Sequence, residues 1–153
     1  MEREISIHSD YIYRILHQLY LNLDEMLIPY DITHQQARII LHIYQKEKYG
    51  KESCQKDLER LMGLRGSSIT SLLQGLEKRG FIERKKIEGD ARKKEIFLSE
   101  KGKKLIDVFH RIFSEGESNL LEVMSEEEQI VFLDVLKRIV MNLESKQKVK
   151  VKR

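Results

Sequence analysis

Residues 54–98 run CQKDLERLMGLRGSSITSLLQGLEKRGFIERKKIEGDARKKEIFL. The pattern predicts a short helix over 54–62, a left-handed cap at Gly63, a second helix closed by Gly80, and then a β-hairpin. In the second helix Ile69, Leu72, Leu73 and Leu76 fall at i, i+3, i+4 and i+7, which makes one continuous apolar stripe. Ser67, Ser68, Thr70, Ser71 and Gln74 occupy the positions between. Charged residues make up 35% of the chain, so an ordinary solvated face would be full of Lys and Glu. A short, uncharged face rich in donors and acceptors suits the DNA major groove, where base edges are read by hydrogen bonds. The plainer reading is a surface helix that happens to be rich in serine, and the helix alone does not decide between them.

The segment after it does. The β-rich runs 81–87 and 94–98 flank Glu88-Gly89-Asp90-Ala91-Arg92, a glycine-containing hairpin loop. Arg84, Lys85, Lys86, Arg92, Lys93 and Lys94 make the hairpin strongly basic. Charge is unevenly spread along the chain. Residues 51–104 carry +6, residues 1–50 carry −2, residues 105–145 carry −6 and residues 146–153 carry +5, for a net +3. Positive charge thus gathers where the helix pair and hairpin lie, as phosphate binding requires.

The remaining sequence frames this unit. A length of 153 residues suits one domain, and a single proline with strong helical periodicity predicts a mainly α fold carrying a small β-hairpin wing. A first helix spans 9–27, with Ile12, Ile15, Leu16, Leu19, Leu23, Met26 and Leu27 apolar; Tyr13, His17 and Tyr20 form a second stripe. Thr33 with Gln36 makes a capping box that opens the next helix. Ser99 caps a helix expected to run unbroken to about residue 124, and Ser125 with Glu128 opens a final one. Helices this apolar outside a compact three-helix unit need a partner, for which a second copy of the chain is the expectation. The basic run KQKVKVKR, residues 146–153, reads as a tail without structure. No run is long and apolar enough to span a membrane, the N-terminal residues are not a signal peptide, and the single Cys54 excludes an intrachain disulfide, which together suggest the cytoplasm.

Asp90-Ala91-Arg92 followed by Leu98-Ser99-Glu100-Lys101-Gly102 is the most specific motif. Here the sequence resembles the MarR family of bacterial winged helix-turn-helix regulators, whose signature D-x-R followed by L-[ST]-x-x-G is matched at Asp90, Arg92, Leu98, Ser99 and Gly102. Ile32-Thr33 with Gln36, and Leu58, Gly63, Leu76-Glu77 and Gly80, also follow its pattern. The resemblance implies a transcriptional regulator, more often a repressor, that binds a palindromic operator in double-stranded DNA as a homodimer and is released by a small ligand or modification. It divides the chain into an N-terminal dimerisation helix (1–32), the winged DNA-binding part (33–99), C-terminal dimerisation helices (100–145) and the basic tail. Carried over, Ser67, Ser68, Thr70, Ser71 and Gln74 meet bases or phosphates, and Arg92 is the wing contact, oriented by Asp90 at the hairpin tip. Arg84, Lys86, Lys93 and Lys94 join it on the wing, while Arg65 and Gln55 are candidate phosphate contacts. Arg65 stands where many relatives have Ser or Thr, and Ser71 where many have Arg, so base preference does not transfer.

Other residues stay open at this point. Tyr11, Tyr13, His17, Tyr20 and Phe109 could line a cleft for an aromatic or amphipathic effector, as in relatives, or simply pack an interface. Cys54, at a helix start, is either a reactive thiol that makes the regulator redox-responsive or a small capping residue. Histidines 8, 17, 34, 42 and 110 show no close ligand spacing, no cofactor motif is present, and no nucleophile–base–orienter set supports an enzyme. A winged protein-interaction module without DNA binding is the remaining rival; the charge of residues 51–104 argues against it.

Overall fold

The computed structural model describes residues 6–151, and the side chains of all of these except 90–92 and 151. The chain divides into two compact units, one extending to Gly116 and one starting at Glu117. In the first, α1 (Ile7–Leu27) buries Leu23 and Leu27, while Ile12, Ile15 and Leu16 nearer its start stay exposed. A 3-10 turn (Ile28–Tyr30) carries Pro29 and ends at Asp31, whose positive φ of 52° redirects the chain into α2 (His34–Lys48). The expected capping box holds: Thr33 Oγ1 accepts the Gln36 N–H at 3.2 Å, and Gln36 Oε1 accepts the Thr33 N–H at 3.3 Å.

α3 (Gln55–Met62) ends at Gly63 in the left-handed conformation (φ 61°), and α4 (Gly66–Lys78) follows after a short turn. Gly63 closes α3 as its position predicted, since a residue with a Cβ is strained there. Ile69, Leu73 and Leu76 of α4 join Leu58 of α3 and Ala37, Ile39, Ile40 and Ile43 of α2 in one core. The hairpin β1 (Ile82–Ile87) and β2 (Asp90–Leu98) packs its base on this core through Ile82, Ile96 and Leu98.

Three expectations are corrected. The hairpin loop is Glu88–Gly89 alone, and β2 begins at Asp90, so Arg92 lies inside the strand and not at the tip. Lys86 pairs with Lys94 while Ile87 pairs with Asp90, so residues 91–93 form an irregular bulge opposite no partner. The helix expected over 99–124 is broken: α5 (Glu100–Lys103) is capped by Ser99, and α6 (Ile106–Leu121) starts afresh. The Leu105 N–H bonds to the Gly102 carbonyl, three residues back, which tightens the chain and re-aims α6 to bury Ile106, Phe109 and Ile112. Third, the basic tail is helical in its described part, because α7 (Glu126–Val151) runs through Lys146, Lys148 and Lys150. Acids in its first turn and lysines in its last complement the helix dipole.

The second unit consists of the end of α6 and α7. Ser125 and Glu128 form the expected capping box, with N–H···O distances of 2.9 and 3.2 Å. Ile130, Val131, Leu133, Leu136, Ile139, Val140 and Leu143 are all exposed in the single chain. No helix among the described residues is long and apolar enough to cross a membrane.

Candidate nucleic-acid interface

α4 presents two opposed faces. Ile69, Leu73 and Leu76 are fully buried, and Ser67, Ser68, Ser71 and Gln74 are exposed. Arg65, the N-cap of this helix, is also exposed. The apolar stripe therefore fixes the rotation of the helix about its axis, and the neutral polar residues turn outward as a consequence.

Two residues expected to face outward are engaged within the protein. The Gln55 amide donates to Thr70 Oγ1 at 2.9 Å, to the Gly66 carbonyl at 3.4 Å and to Glu59 Oε1 at 3.3 Å. Thr70 donates in turn to the Gly66 carbonyl at 2.8 Å. Gln55 thus clamps the start of α3 to the first turn of α4, and Thr70 is half-buried. Gly66 fits the same clamp, because a Cβ there would sit 3.0 Å from Glu59 Oε1.

The wing places its charges in order along one face. Ile82 opposite Leu98 is buried, Arg84 opposite Ile96 comes next, and Lys86 opposite Lys94 lies exposed farther out. Arg84 is corrected from an outward contact: only 15% exposed, it turns toward α4, its Nε 2.9 Å from Glu77 Oε2. Lys86 and Lys94 are direct cross-strand neighbours of like charge, which costs hairpin stability. Such a pair is favoured where a polyanion supplies the missing countercharge. Lys93 is exposed as well. The expected Asp90–Arg92 pairing lies outside the described side chains.

The base of the wing is bolted to the end of α4. The Phe81 N–H donates to the Leu76 carbonyl (2.9 Å), the Ser99 N–H to the Phe81 carbonyl (3.1 Å), and Lys101 Nζ to the Arg79 carbonyl (2.7 Å). Gly102 packs directly on the Phe81 carbonyl. The signature residues Leu98, Ser99 and Gly102 are therefore structural. They set where the hairpin leaves the helix pair.

Cys54 is the N-cap of α3. Its thiol donates to Asp57 Oδ2 at 3.2 Å, the same oxygen that receives Lys46 Nζ at 2.9 Å and the Cys54 N–H at 3.3 Å. Burial pushes the Asp57 carboxyl up, but hydrogen bonds from Lys46 and Cys54 outweigh it and hold the group below the ordinary carboxylate range. A proton on the sulfur is what this bond uses, so the capping reading fits the geometry. Beside it, Cys54, Gln55, Lys56, Arg84, Lys93 and Lys94 help line a cavity of about 480 Å³ between α3 and the wing.

Among the five candidate effector residues, Phe109 is buried, while Tyr11, Tyr13, His17 and Tyr20 are exposed along α1. Phe109 is fully buried, edge-on to Tyr30 at 6.2 Å, and belongs to the core. Tyr20 stacks on His34 at 4.2 Å, where His34 Nδ1 lies 2.9 Å from Asp24 Oδ1. Tyr13 and Tyr11 are exposed, and Arg14 lies over the Tyr11 ring. Tyr13, His17 and Tyr20, at i, i+4 and i+7, share one face of α1, and Tyr11 stands about 200° from Tyr13. Among the described residues, no group of three or more His, Cys, Asp or Glu is placed to hold a metal ion.

A family model described as the MarR family matches residues 30–93, the segment that holds the capping box, the helix pair and most of the hairpin. The chain is 30% identical over 118 residues to the HTH-type transcriptional regulator YwhA of Bacillus subtilis, covering 76% of this chain and 81% of that one. The chain belongs to the MarR family. It is a transcriptional regulator of that family, whose members are not enzymes. A second B. subtilis regulator, YfiV, is 37% identical over 92 residues, a match that spans just over half (56%) of each chain. Among solved structures, the DNA complex of S. aureus MepR superposes with a TM-score of 0.82 at 29% identity, covering 92% of this chain and 99% of that one. The wing motif makes the family legible in the sequence. The Gln55 clamp is not legible there, because it joins residues fifteen apart and leaves no local spacing signal.

Proposed function

We propose that this MarR-family chain is a repressor that binds a palindromic operator as a homodimer. The observation that carries the reading is α4, whose exposed face holds Ser67, Ser68, Ser71 and Gln74 in a chain that is 35% charged. Lys86, Lys93 and Lys94 beside it supply phosphate contacts, and Arg65 at the start of α4 adds another. Arg92, in the irregular part of β2, is the proposed minor-groove contact. A relative of known structure, MepR, is seen bound to DNA, which supports the same use of the fold here.

Twofold pairing follows from the apolar side chains that one chain leaves uncovered. Ile7, Ile12 and Ile15 in the first unit, and Ile130, Val131, Ile139 and Leu143 in the second, are each 45% exposed or more. Single exposed residues are normal, but rows of them along two helices are an interface signature. A groove of about 430 Å³ lined by Leu120, Leu121, Ile130, Phe132, Leu133 and Leu136 offers a seat for such a partner. Two recognition helices about 34 Å apart then enter successive major grooves on one side of the duplex. The protein acts where the DNA is, in the cytoplasm. Release by a small ligand requires different affinity for the bound and free conformations.

The test is a titration of the purified protein against duplex from the region upstream of its own gene and against scrambled sequence, over a range of salt. Dimeric protein, discrimination between the sequences and a steep fall with salt are expected. A monomer, or binding indifferent to salt, would refute the reading and favour a protein-interaction module instead. Gln74→Ala should change sequence preference more than overall affinity.

A further inference from the structure

The last helix changes character past Leu143. Its apolar run ends there, Glu144 is its last acid, and Lys146, Lys148 and Lys150 follow within the helix, all exposed. At 100° per residue, Lys146 and Lys150 lie about 40° apart and Lys148 faces nearly the opposite way. The charge therefore wraps the helix and forms no one-sided seat for an acidic protein groove. The helix dipole accounts for a cation or two in the final turn, an effect that fades within that turn. It does not account for five basic residues and no acid in residues 146–153, where Lys146 and Lys150 repel each other at i, i+4.

The charge balance of the whole chain points to a role for this segment. The chain carries +3, residues 146–153 carry +5, and the remainder is therefore net negative at −2. Without those eight residues, a protein that must approach DNA would share its sign. We infer that the end of α7 is a DNA-backbone arm: its lysines take phosphates without regard to sequence, speed encounter with the duplex, and raise affinity for operator and non-operator DNA alike. This rests on the DNA-binding reading above and extends it to a segment outside the winged part.

The test replaces the three lysines together in the full chain by glutamine, K146Q, K148Q and K150Q, and in a second variant by arginine. Both are measured by fluorescence anisotropy on a random-sequence duplex and on the operator, across a salt series, with oligomeric state checked in parallel. Each phosphate no longer neutralised should make the log K against log salt slope shallower by about 0.9, so about 2–3 per protomer if all three lysines engage. At 100 mM salt the glutamine variant should lose at least about tenfold on both duplexes, since a single neutralised phosphate is already worth roughly eightfold. The arginine variant should match wild type. An unchanged slope, a loss confined to the operator, or a loss that arginine does not restore would overturn the inference. If the wild-type chain bound no duplex at all, the DNA-binding reading itself would fall, and the two failures are thereby distinguished.

Discussion

Replacing Gly102 by alanine should destabilise the protein, against the ordinary expectation for a helical glycine. In an open helix position, Gly→Ala stabilises by about 1 kcal/mol, because alanine loses less backbone freedom. Here the added Cβ would lie 2.4 Å from the Phe81 carbonyl oxygen, and 3.4 Å from a Leu98 methyl. A carbon and a carbonyl oxygen settle at about 3.3 Å or more, so α5 and the hairpin base must separate by nearly an ångström. The Phe81 oxygen cannot yield easily, since it already accepts the Ser99 N–H at 3.1 Å. Overpacking against fixed backbone costs about 2–3 kcal/mol. Offset by the propensity gain, the net loss is about 1–2 kcal/mol. At this chain length, that lowers the melting temperature by about 2–4 °C for each kcal/mol. Thermal unfolding of wild type and Gly102→Ala at matched protein concentration reads it, because association shifts the midpoint by mass action. DNA affinity should fall as well, since the wing leaves α4 at a changed angle. A higher melting temperature for the alanine variant would show instead that Gly102 tolerates a side chain against the Phe81 carbonyl.

Four further outcomes are expected. Lys86→Gln with Lys94→Gln should weaken binding to all duplexes and make the salt slope shallower, while hairpin stability holds or rises because the like-charged pair is relieved; equilibrium unfolding and anisotropy measure the two. Gln55→Ala should cost about 1 kcal/mol of stability and reduce discrimination between operator and random DNA, since α4 loses its hold on α3; an unchanged discrimination ratio would show that the clamp does not orient the recognition helix. Burial, then the charges of Lys46 and Arg38, hold His42 below the ordinary imidazole range, with Asp57 acting the other way. The unfolded chain therefore binds this proton first, so stability falls as pH drops below about 6.5, and falls again near pH 4 as Asp57 protonates; denaturant titrations across pH, with His42→Gln flattening the upper part, check the sign. Glu95 behaves oppositely. Burial first, then the Glu52 and Glu47 carboxylates, raise it against the pull of Lys85, so Glu95→Gln should stabilise the protein at neutral pH, with the gain vanishing in acid.

The features legible along the chain are local ones. The capping boxes at Thr33 and Ser125, the left-handed turn at Gly63 and the two faces of α4 follow from side chains within four residues of the backbone groups they serve. The same holds for the motif from Asp90 to Gly102, a spacing readable along one strand and one turn. The tertiary structure alone decided which polar groups remain for a partner. Gln55 and Thr70 share hydrogen-bonding chemistry with the exposed serines, yet they turn inward because each finds a partner across the α3–α4 turn, Gln55 on Thr70 Oγ1 and both on the Gly66 carbonyl. Arg84 looks like any other base of the hairpin until its register sets it opposite Ile96 and beside Glu77. Lys86 and Lys94 become neighbours only through the bulge over residues 91–93, which local spacing does not reveal. Propensity and capping act over a turn of chain; whether a charge faces solvent or a partner depends on contacts fifteen or fifty residues away, which exist only once the core has closed.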